Sequence, residues 1–308
     1  MMIEDRTYDR LIDTARAEKI LSNSTIHVDL DKLRAYVLTH RKDKEAWRFL
    51  RLSAEGNGYL RCQWYGRDKR TYRIYPKKGE PQLTTLSNVG ILSSFTSRHQ
   101  SGKIVCIDYS QFEYSIIRCL LDLKDAPTDI HSWTADVLSM PRDVCKILNN
   151  AMLYGSNDDV QRRAKDLYEK VERRGVEKYL RMIIQIRSKM DNFLSDKEHS
   201  FVRNGYVINE YGRRIYPKNK STIFNNLIQS VGSEIMIDTI INLSSISSNS
   251  WNMMFQRFDA MYFDFSEKAL ESELDEVKKV MIGANKDIDL SATISIGDSV
   301  ATLKEHTE

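Results

Sequence analysis

The sequence predicts an α+β fold, in which a body of strands and helices carries an additional helical lobe. Two patterns lead to this class. Aromatic and branched segments bounded by turn residues predict strands, and they are residues 59–107, 251–265 and 292–297. Apolar residues at helical spacing predict helices, and they occupy residues 1–56, 109–200 and 222–245. The order is therefore helices, strands, a helical insertion, and then strands and helices again.

Composition excludes several classes of protein. The chain has 308 residues, of which 41% are hydrophobic and 29% are charged, as is ordinary for a globular protein. No apolar run approaches the ~20 residues of a membrane span, and the polar start MMIEDRTYDR lacks a signal-peptide core, so we expect no membrane partner. The cysteines lack C-x-x-C spacing and predict free thiols in a reducing compartment: Cys62, Cys106, Cys119 and Cys145.

The first 107 residues contain helices and then strands. Residues 1–56 carry apolar positions at helical spacing, and Asp29 or Asp31 is a candidate N-cap for the second helix. A Gly-Asn-Gly run at 56–58 breaks this pattern. The strand region that follows ends in the apolar run IVCI at 104–107, which predicts a buried strand with Asp108 at its end.

A basic and aromatic segment, RCQWYGRDKRTYRIYPKK at 61–78, holds seven Lys and Arg against one acid. Four aromatic residues are interleaved with these cations: Trp64, Tyr65, Tyr72 and Tyr75. Cations meet phosphates and flat rings meet bases, so the pattern is typical of nucleic-acid binding. A solvated edge hairpin explains the segment equally well, and the net charge of +3 does not decide between them.

Helices dominate residues 109–200, where the charges of the stretch 158–194 predict a solvated helix face. Asn204-Gly205 predicts a tight hairpin turn between SFVR and YVINEYGRRIYP. The remaining predicted elements are a helix at 222–245, a hairpin at 251–265, a charged helix near 267–284 and a final strand at 292–297.

Two acids stand at the ends of strand-like segments far apart in sequence, Asp108 and, at a predicted hairpin tip, Asp259. Carboxylates on adjacent strands can hold two divalent cations ~3.5–4 Å apart, an arrangement that serves phosphoryl transfer. Mg²⁺ prefers few carboxylates together with substrate phosphates, so no dense ligand cluster is expected. Each acid could instead cap a turn, and an isolated Asp does so more often than not.

A cationic helix is predicted at 142–156, RDVCKILNNAMLYGS, in which Arg142 and Lys146 lie one turn apart on one face. Two such cations suit a triphosphate, which carries charge on several oxygens. Asn149 or Asn150 and Tyr154 continue along nearby faces. An ordinary surface helix would show the same cations.

Together these segments resemble family A DNA polymerases, the bacterial polymerase I type. DYSQFE is similar to the palm motif D-Y-S-Q-I-E, and R-x3-K-x7-Y-G from Arg142 to Gly155 is similar to the fingers-helix motif. The other similar segments follow in family order over residues 70–300: TYRIYPKKGEPQL, DIHSWTADVL, NGYVINEYGRRIYP, NNLIQSVGSEIMI and ATISIG. The ordered set is far more specific than any one segment.

The resemblance implies a right-hand polymerase fold with an antiparallel-sheet palm, helical fingers and a reduced helical thumb. The implied domains are a thumb at 1–58, a palm at 59–121 and 204–308, and fingers at 122–203. Asp108 and Asp259 would be catalytic and would hold two Mg²⁺ ions with the Tyr109 carbonyl, with Mn²⁺ as a substitute. The partners would be primer–template DNA and dNTPs.

The resemblance also implies individual roles. Arg142 and Lys146 would grip the triphosphate, and Lys146 would be a candidate catalytic acid toward pyrophosphate. Glu113 would close the space at the sugar 2′ position, and Tyr154 would sit by the templating base. Further nucleotide-binding positions would be Gln111, His131 and Asn150. DNA-binding positions would be Arg73, Arg213, Arg214, Asn225 and Gln229.

The sequence departs from the family pattern at several points. Phe258-Asp259-Ala260 replaces H-D-E, so the second acid is absent, and Asp264 lies five residues beyond Asp259. Asn150 replaces an aromatic residue that stacks on the incoming sugar, and Ser221 stands where an Arg is usual. The stretch from Asp108 to Lys146 is short for the family, which indicates trimmed fingers.

These features predict a template-directed DNA polymerase that extends a primer by two-metal nucleotidyl transfer. About 107 residues precede Asp108, so we expect a small thumb, no exonuclease domain and low processivity without a processivity or replisome protein. The compactness suggests a phage or plasmid source, and we expect the protein in the cytoplasm of a bacterial or phage-infected cell. One alternative is a polymerase-derived binding subunit impaired in catalysis, which Ala260 and Asn150 favour; another is an RNA-synthesising enzyme, against which Glu113 speaks.

Overall fold

The computed structural model describes residues 4–66, 68–246 and 248–306, so Arg67 of the basic segment lies outside it. The elements of the first half are α1 (Thr7–Asn23), β1 (Ile26–His27), α2 (Leu30–Thr39), α3 (Lys44–Glu55), β2 (Tyr59–Leu60), β3 (Trp64–Tyr65), β4 (Tyr75–Pro76), α4 (Val89–Leu92), β5 (Lys103–Tyr109), α5 (Phe112–Leu120), α6 (Ile130–Leu138) and α7 (Arg142–Tyr154). Those of the second half are α8 (Asn157–Lys170), α9 (Arg173–Asn204), β6 (Val207–Ile208), β7 (Arg214–Ile215), α10 (Ile223–Ser245), β8 (Trp251–Arg257), β9 (Ala260–Phe265), α11 (Glu267–Ser272), α12 (Leu274–Ile282), β10 (Ala292–Gly297) and β11 (Lys304–Glu305), with 3-10 turns at Lys220–Thr222 and Val300–Thr302. None of the described helices has the length and apolarity of a membrane span.

The centre of the molecule is a five-stranded antiparallel sheet in the order β11-β10-β5-β9-β8. The predicted buried run of β5 occupies the middle of this sheet, and Ile104, Val105 and Ile107 are fully buried. Strands far apart in sequence thus become neighbours, because β5 pairs with β9 on one side and with β10 on the other. The prediction of an α+β fold with an antiparallel sheet is confirmed.

The predicted N-terminal helices pack against this sheet and its long helix α10. Helix α1 lies along α10 and also contacts β3 and β8, while α2 and α3 pack around α4. Their buried apolar side chains, such as Leu33 and Phe49, belong to the same core as the sheet residues. Asp29 is the N-cap of α2, since its side chain accepts hydrogen bonds from the backbone N–H groups of Asp31 and Lys32.

Residues 122–203 contain helices α6 to α8 and most of α9. The predicted charged stretch 158–194 divides between α8 and α9, with Val171 and Glu172 between them. Likewise, the predicted charged helix near 267–284 is two helices, α11 and α12, which meet at Glu273, where a φ of −120° departs from helical geometry.

The hairpin predicted around Asn204-Gly205 is wrong. The segment SFVR is the last turn of α9, and Gly205 is its C-cap in the left-handed region with a φ of 74°. The Gly205 N–H donates to the Phe201 carbonyl at 2.8 Å. A positive φ serves helix ends and hairpin turns alike, so the Asn-Gly pair did not distinguish them. The actual hairpin joins the two-residue strands β6 and β7.

The cysteine prediction is confirmed insofar as all four thiols are free. Cys62, Cys106 and Cys145 are buried, while Cys119 is exposed.

Candidate active site

Asp108 and Asp259 come together at one end of the central sheet. Asp108 is the sixth residue of β5 and pairs with Ala260 of β9, the residue that follows Asp259. The Tyr109 N–H also donates to the Asp259 carbonyl at 3.3 Å. The tight connection between β8 and β9 places Phe258 in the left-handed region, with a φ of 56°. Strand pairing and this turn therefore bring the two distant acids to neighbouring positions.

The two carboxylates repel each other. Desolvation and then the charge of Asp259 raise the pKa of Asp108 to about 6, and Lys146 opposes the rise. Desolvation and then the charge of Glu113 raise the pKa of Asp259. Neither carboxylate belongs to an ion pair with the described residues, although both lie near Lys146. Negative charge is thus concentrated at this end of the sheet, and no described Lys or Arg side chain forms an ion pair with either acid.

This donor set fits Mg²⁺. The described residues contain no group of three or more His, Cys, Asp or Glu side chains placed to hold a metal ion. Mg²⁺ needs no such cage, because it is commonly bound by one or two carboxylates plus substrate phosphates. Two adjacent carboxylates with raised pKa values gain stability when a divalent cation neutralises their repulsion. Asp108 and Asp259 would hold the metal, and the Tyr109 carbonyl is a further candidate ligand.

The two predicted cations of helix α7, Lys146 and Arg142, differ in their contacts. Lys146 is exposed, is not in an ion pair with any described residue, and lies near both acids. Arg142 instead donates to Asp129 Oδ2 at 3.2 Å and to Ser132 Oγ at 3.0 Å. Asp129 is the N-cap of α6, so Arg142 ties the start of α7 to the start of α6. Asn150 is exposed one turn beyond Lys146.

A buried polar cluster fixes α6 and α7 relative to β5. Gln111, in the left-handed region with a φ of 49°, accepts a hydrogen bond from the Ile130 N–H at 3.1 Å. The buried His131 lies 3.1 Å from the amide nitrogen of Asn149, measured from its Nδ1. Desolvation and then the charge of Arg142 lower the pKa of His131. Gln111 and His131 therefore help to position α6 and α7. This structural role is separate from the nucleotide contact that the resemblance implies.

Glu113 stands between two predicted site residues. Arg73 donates to Glu113 Oε1 at 3.3 Å, and the Tyr154 hydroxyl donates to Glu113 Oε2 at 3.3 Å. Arg73 and Glu113 line a pocket of about 250 Å³ that also reaches Asp259 and Gln229. Burial and then the charge of Glu113 raise the pKa of Tyr154 well above its ordinary value, so its hydroxyl remains a donor.

The predicted DNA-binding residues of α10 lie on its accessible face. The Gln229 side-chain amide donates to Asn225 Oδ1 at 3.0 Å, and Asn225 is exposed. Arg214 is partly exposed, pairs with Asp5 and lies over the Tyr206 ring. Gln229 lines the pocket and Asn225 is exposed one turn before it, whereas Arg214 belongs to the surface beside α1.

The prediction that Arg213 binds DNA is wrong, because this side chain is completely buried. Its Nε lies 2.6 Å from Glu234 Oε1, and its guanidinium lies over the Tyr72 ring. A guanidinium with no exposed surface and a buried carboxylate partner has no access to DNA. The prediction treated both arginines of the G-R-R segment alike, although only Arg214 remains at the surface.

The departures from the family pattern have structural consequences. Ala260 is buried opposite Asp108, and Asp264 cannot replace the missing acid because it lies at the other end of β9. Asp264 is itself buried, where it accepts hydrogen bonds from Ser97 Oγ at 2.5 Å and the Arg98 N–H at 3.0 Å. The site therefore has two acids from the strands and no third one from β9.

Sequence reasoning missed the role of Asp129. The segment DIHS carried the signal, since an Asp three residues before a Ser at a helix start is a typical N-cap. The Asp129 side chain caps α6 by accepting a hydrogen bond from the Ser132 N–H at 2.8 Å, and it also pairs with Arg142.

The fold and the site define a class of α+β proteins in which an antiparallel sheet presents two adjacent acids to a cationic helix. The sequence profile of DNA polymerase family A matches residues 81–302, which is most of the chain. The chain therefore belongs to DNA polymerase family A.

The fold is also similar to a solved structure, the POL domain of Pol1 from M. smegmatis in complex with DNA primer-template and dNTP. That similarity has a TM-score of 0.63 and 19% sequence identity, and it covers 89% of this chain and 56% of that one. The chain thus spans about half the length of this structural neighbour, which supports the fold alone. No curated protein matches the sequence.

Proposed function

We propose that the protein is a template-directed DNA polymerase that adds dNTPs to a primer 3′ end. The observation that carries this proposal is the pairing of β5 with β9, which brings Asp108 beside Asp259 in a chain of family A. Two carboxylates that repel each other beside an exposed lysine suit a substrate that brings both metal and phosphate. We further propose low processivity and dependence on a processivity protein.

In this mechanism Asp108 and Asp259 hold the cofactor and orient the primer hydroxyl toward the triphosphate. When bound, Mg²⁺ supplies positive charge that activates the attacking hydroxyl and steadies the charge on the transferred phosphorus. Lys146 binds the triphosphate oxygens and is placed to give a proton to pyrophosphate as it leaves. Arg142 joins it by exchanging its Asp129 contact for a phosphate, since charge-assisted contacts to phosphate are among the stronger hydrogen bonds.

Glu113 selects the sugar in this proposal. Its carboxylate is held from both sides by Arg73 and Tyr154, so it has little freedom to move away from a 2′-hydroxyl. A carboxylate fixed in that position overlaps sterically with the 2′-hydroxyl of a ribonucleotide. It also leaves that hydroxyl poorly solvated, so ribonucleotides are excluded. The rigidity of the pair of contacts supports deoxynucleotide preference.

The test is extension of a labelled primer on a template with each dNTP, run with Mg²⁺ and separately with Mn²⁺. We expect template-dependent extension by the parent protein and none by Asp108→Asn. Absence of extension by the parent in both metals, with duplex binding intact, would overturn the proposal.

That same outcome would favour the second candidate function, a polymerase-derived DNA-binding subunit. The burial of Ala260 and the engagement of Asp264 elsewhere favour this alternative, because no acid of β9 replaces the missing one. Retention of Asp108, Asp259 and Lys146 at one site argues for catalysis, since binding alone needs no repelling carboxylates.

A further inference from the structure

A second cavity lies toward the other end of the central sheet from the two acids. It has a volume of about 700 Å³, and residues of α3, of β2 and of the segment before β5 line it. Asp259 precedes β9, whereas Asp264 lies near its far end, about 17 Å away at the rise of an extended strand. Arg98 lines the cavity, and its backbone N–H donates to Asp264 at 3.0 Å. We name this space the distal cavity, and among the residues that line it are Glu55, Asn57, Tyr59, Arg61 and Arg98.

A tight turn brings β2 to the distal cavity beside the end of α3. Helix α3 ends at Glu55, and Asn57 and Gly58 after it take left-handed φ values of 53° and 86°. The chain thereby turns back directly into β2, whose residue Tyr59 pairs with His27 of β1. The turn therefore places side chains from the helix end and from β2 around the same space.

Two arginines of the distal cavity keep hydrogen-bond donors unused. The Arg61 residue is exposed, and its guanidinium makes no ion pair or hydrogen bond with the described residues. The Arg98 Nε donates to His99 Nε2 at 3.3 Å and lies 3.7 Å from Asp264 Oδ2. The two terminal nitrogens of Arg98 make no hydrogen bond within the described part of the chain. Since a guanidinium carries several N–H donors and stays charged, the cavity offers unused donors together with positive charge.

Among the described residues, the lining of the distal cavity contains one carboxylate, that of Glu55. Glu55 lies 3.9 Å from Arg51 of the same helix, and both side chains are largely exposed. An exposed pair at this distance neutralises little charge. Because the two guanidiniums of Arg61 and Arg98 outweigh this one carboxylate, the lining carries a net positive charge and favours an anion.

Tyr59 adds an aromatic ring to the lining of the distal cavity. Its side chain is 40% exposed, and its hydroxyl makes no hydrogen bond with the residues that the structure describes. The His27 ring meets it in a T-shaped contact, with the ring centroids 5.5 Å apart. Such a contact occupies at most one face of the Tyr59 ring, so the exposed part is open to a planar ligand. Aromatic side chains of this kind stack on nucleobases.

We propose that the distal cavity binds a nucleoside 5′-phosphate, at a site separate from the candidate active site. Arg61 and Arg98 hold the phosphate, since charge-assisted hydrogen bonds to phosphate are among the stronger ones. The Tyr59 ring stacks on the base. A volume of about 700 Å³ accommodates such a ligand, because small-molecule pockets typically measure about 300–1,000 Å³. This inference goes beyond the proposed function and does not depend on it.

The experiment is calorimetric titration of the full chain with AMP and, separately, with pyrophosphate, in EDTA and without DNA. Arg61→Gln removes a phosphate contact, and its control Arg203→Gln removes an exposed arginine at the end of α9. Tyr59→Leu removes the aromatic ring of the cavity, and its control Tyr8→Leu removes a ring that is 77% exposed on α1. Far-ultraviolet circular dichroism verifies that each variant is folded.

We expect the parent to bind both ligands and Arg61→Gln to bind both about tenfold more weakly, because it loses a charged phosphate contact. Tyr59→Leu should bind AMP about fivefold more weakly and pyrophosphate like the parent, since only AMP carries a base that stacks. Both controls should match the parent. Lys146→Ala, at the candidate active site, should also bind AMP like the parent.

Four outcomes would overturn the inference: no AMP binding by the parent, parental AMP affinity in Arg61→Gln or in Tyr59→Leu, an equal loss in Arg203→Gln, or a loss of AMP binding in Lys146→Ala. The last of these would place AMP at the candidate active site instead. The titration contains no primer, template or metal, so the two proposals fail separately. A parent that binds AMP in the distal cavity but extends no primer overturns the proposed function alone.

Discussion

Two regions of the molecule hold clustered acids, and they differ in how the charges are satisfied. In the ionic cluster between α1 and α10, Glu234 is fully buried, with Arg10 Nε at 2.7 Å and Arg213 Nε at 2.6 Å. At the sheet edge, Asp108 and Asp259 have no ion-pair partner among the described residues. In the first cluster two guanidiniums of the chain neutralise the acid, whereas in the second the two acids have no such partner among the described residues.

This difference separates a structural role from a functional one. Buried acids that two guanidiniums neutralise hold α1 against α10, and removing one of them leaves a buried charge unpaired. Acids that repel each other at an accessible edge weaken the free protein slightly and gain most when a ligand arrives.

The largest expected effect is on catalysis at the sheet edge. Asp108→Asn removes a metal-binding charge and should lower single-turnover primer extension by more than about 10³-fold, or about 4 kcal/mol of transition-state stabilisation. Rapid-quench measurement of one nucleotide addition provides the rate.

The control for this variant is duplex affinity measured in EDTA, which should stay within about threefold of the parent because the charge is lost at the metal site. Extension at the parental rate by Asp108→Asn would show that the repelling acids have no catalytic role.

The next largest effect is on stability in the ionic cluster. Glu234→Gln leaves Arg10 and Arg213 without their shared carboxylate and should destabilise the protein by about 3–5 kcal/mol. Urea denaturation followed by tryptophan fluorescence measures the change. Asp13→Asn is the matched control, since its partly exposed pair with Arg10, at 2.9 Å, should contribute only about 0–1 kcal/mol. Equal midpoints for the two variants would remove the contrast between the regions.

A third prediction tests whether Lys146 acts together with the two acids at the sheet edge. Lys146→Ala should lower kcat/KM for dNTP by about 10–100-fold, as loss of a charged hydrogen bond costs about 1.5–3 kcal/mol. Lys146→Arg should recover part of this loss because it keeps the charge. Steady-state extension at limiting dNTP gives both values. An unchanged kcat/KM in Lys146→Ala would remove Lys146 from the site.

The sheet edge could be predicted from the sequence because its signals are local. The apolar run before Asp108 and the aromatic hairpin around Asp259 each predict a strand that ends at an acid. Ordered motifs along the chain then indicated that these strands pair. The structure adds the register in which β5 pairs with β9, which sets Asp108 opposite Ala260.

The ionic cluster could not be predicted, since its members are spread over three segments of the sequence. Arg10 lies in α1, Arg213 precedes β7 and Glu234 lies in α10, and no spacing rule relates them. Burial of Arg213 depends on how α1 packs along α10, which is a tertiary contact. Two arginines next to each other in sequence therefore had opposite outcomes, and the prediction for Arg213 failed.

The smallest predicted effect concerns the pH dependence of stability at the sheet edge. Asp108 has an ordinary pKa of 3.8, which describes the unfolded chain, and a pKa of about 6 in the folded protein. A raised folded pKa means that the protonated carboxyl favours folding. This stability is fully present below pH 4 and is lost as the pH rises through about 6. Asn cannot ionise, so Asp108→Asn should escape this loss.

The expected size of this effect is modest. A pKa difference of this size corresponds to about 3 kcal/mol for a buried group, and solvent screening of the exposed Asp108 reduces it to about 1 kcal/mol. Urea unfolding of the parent and of Asp108→Asn at pH 4 and pH 7 measures it as a difference between the two curves. Parallel curves would mean that burial and the charge of Asp259 do not raise the pKa of Asp108 in the folded protein. Added Mg²⁺ at pH 7 should then stabilise the parent more than Asp108→Asn, because only the parent keeps both carboxylates.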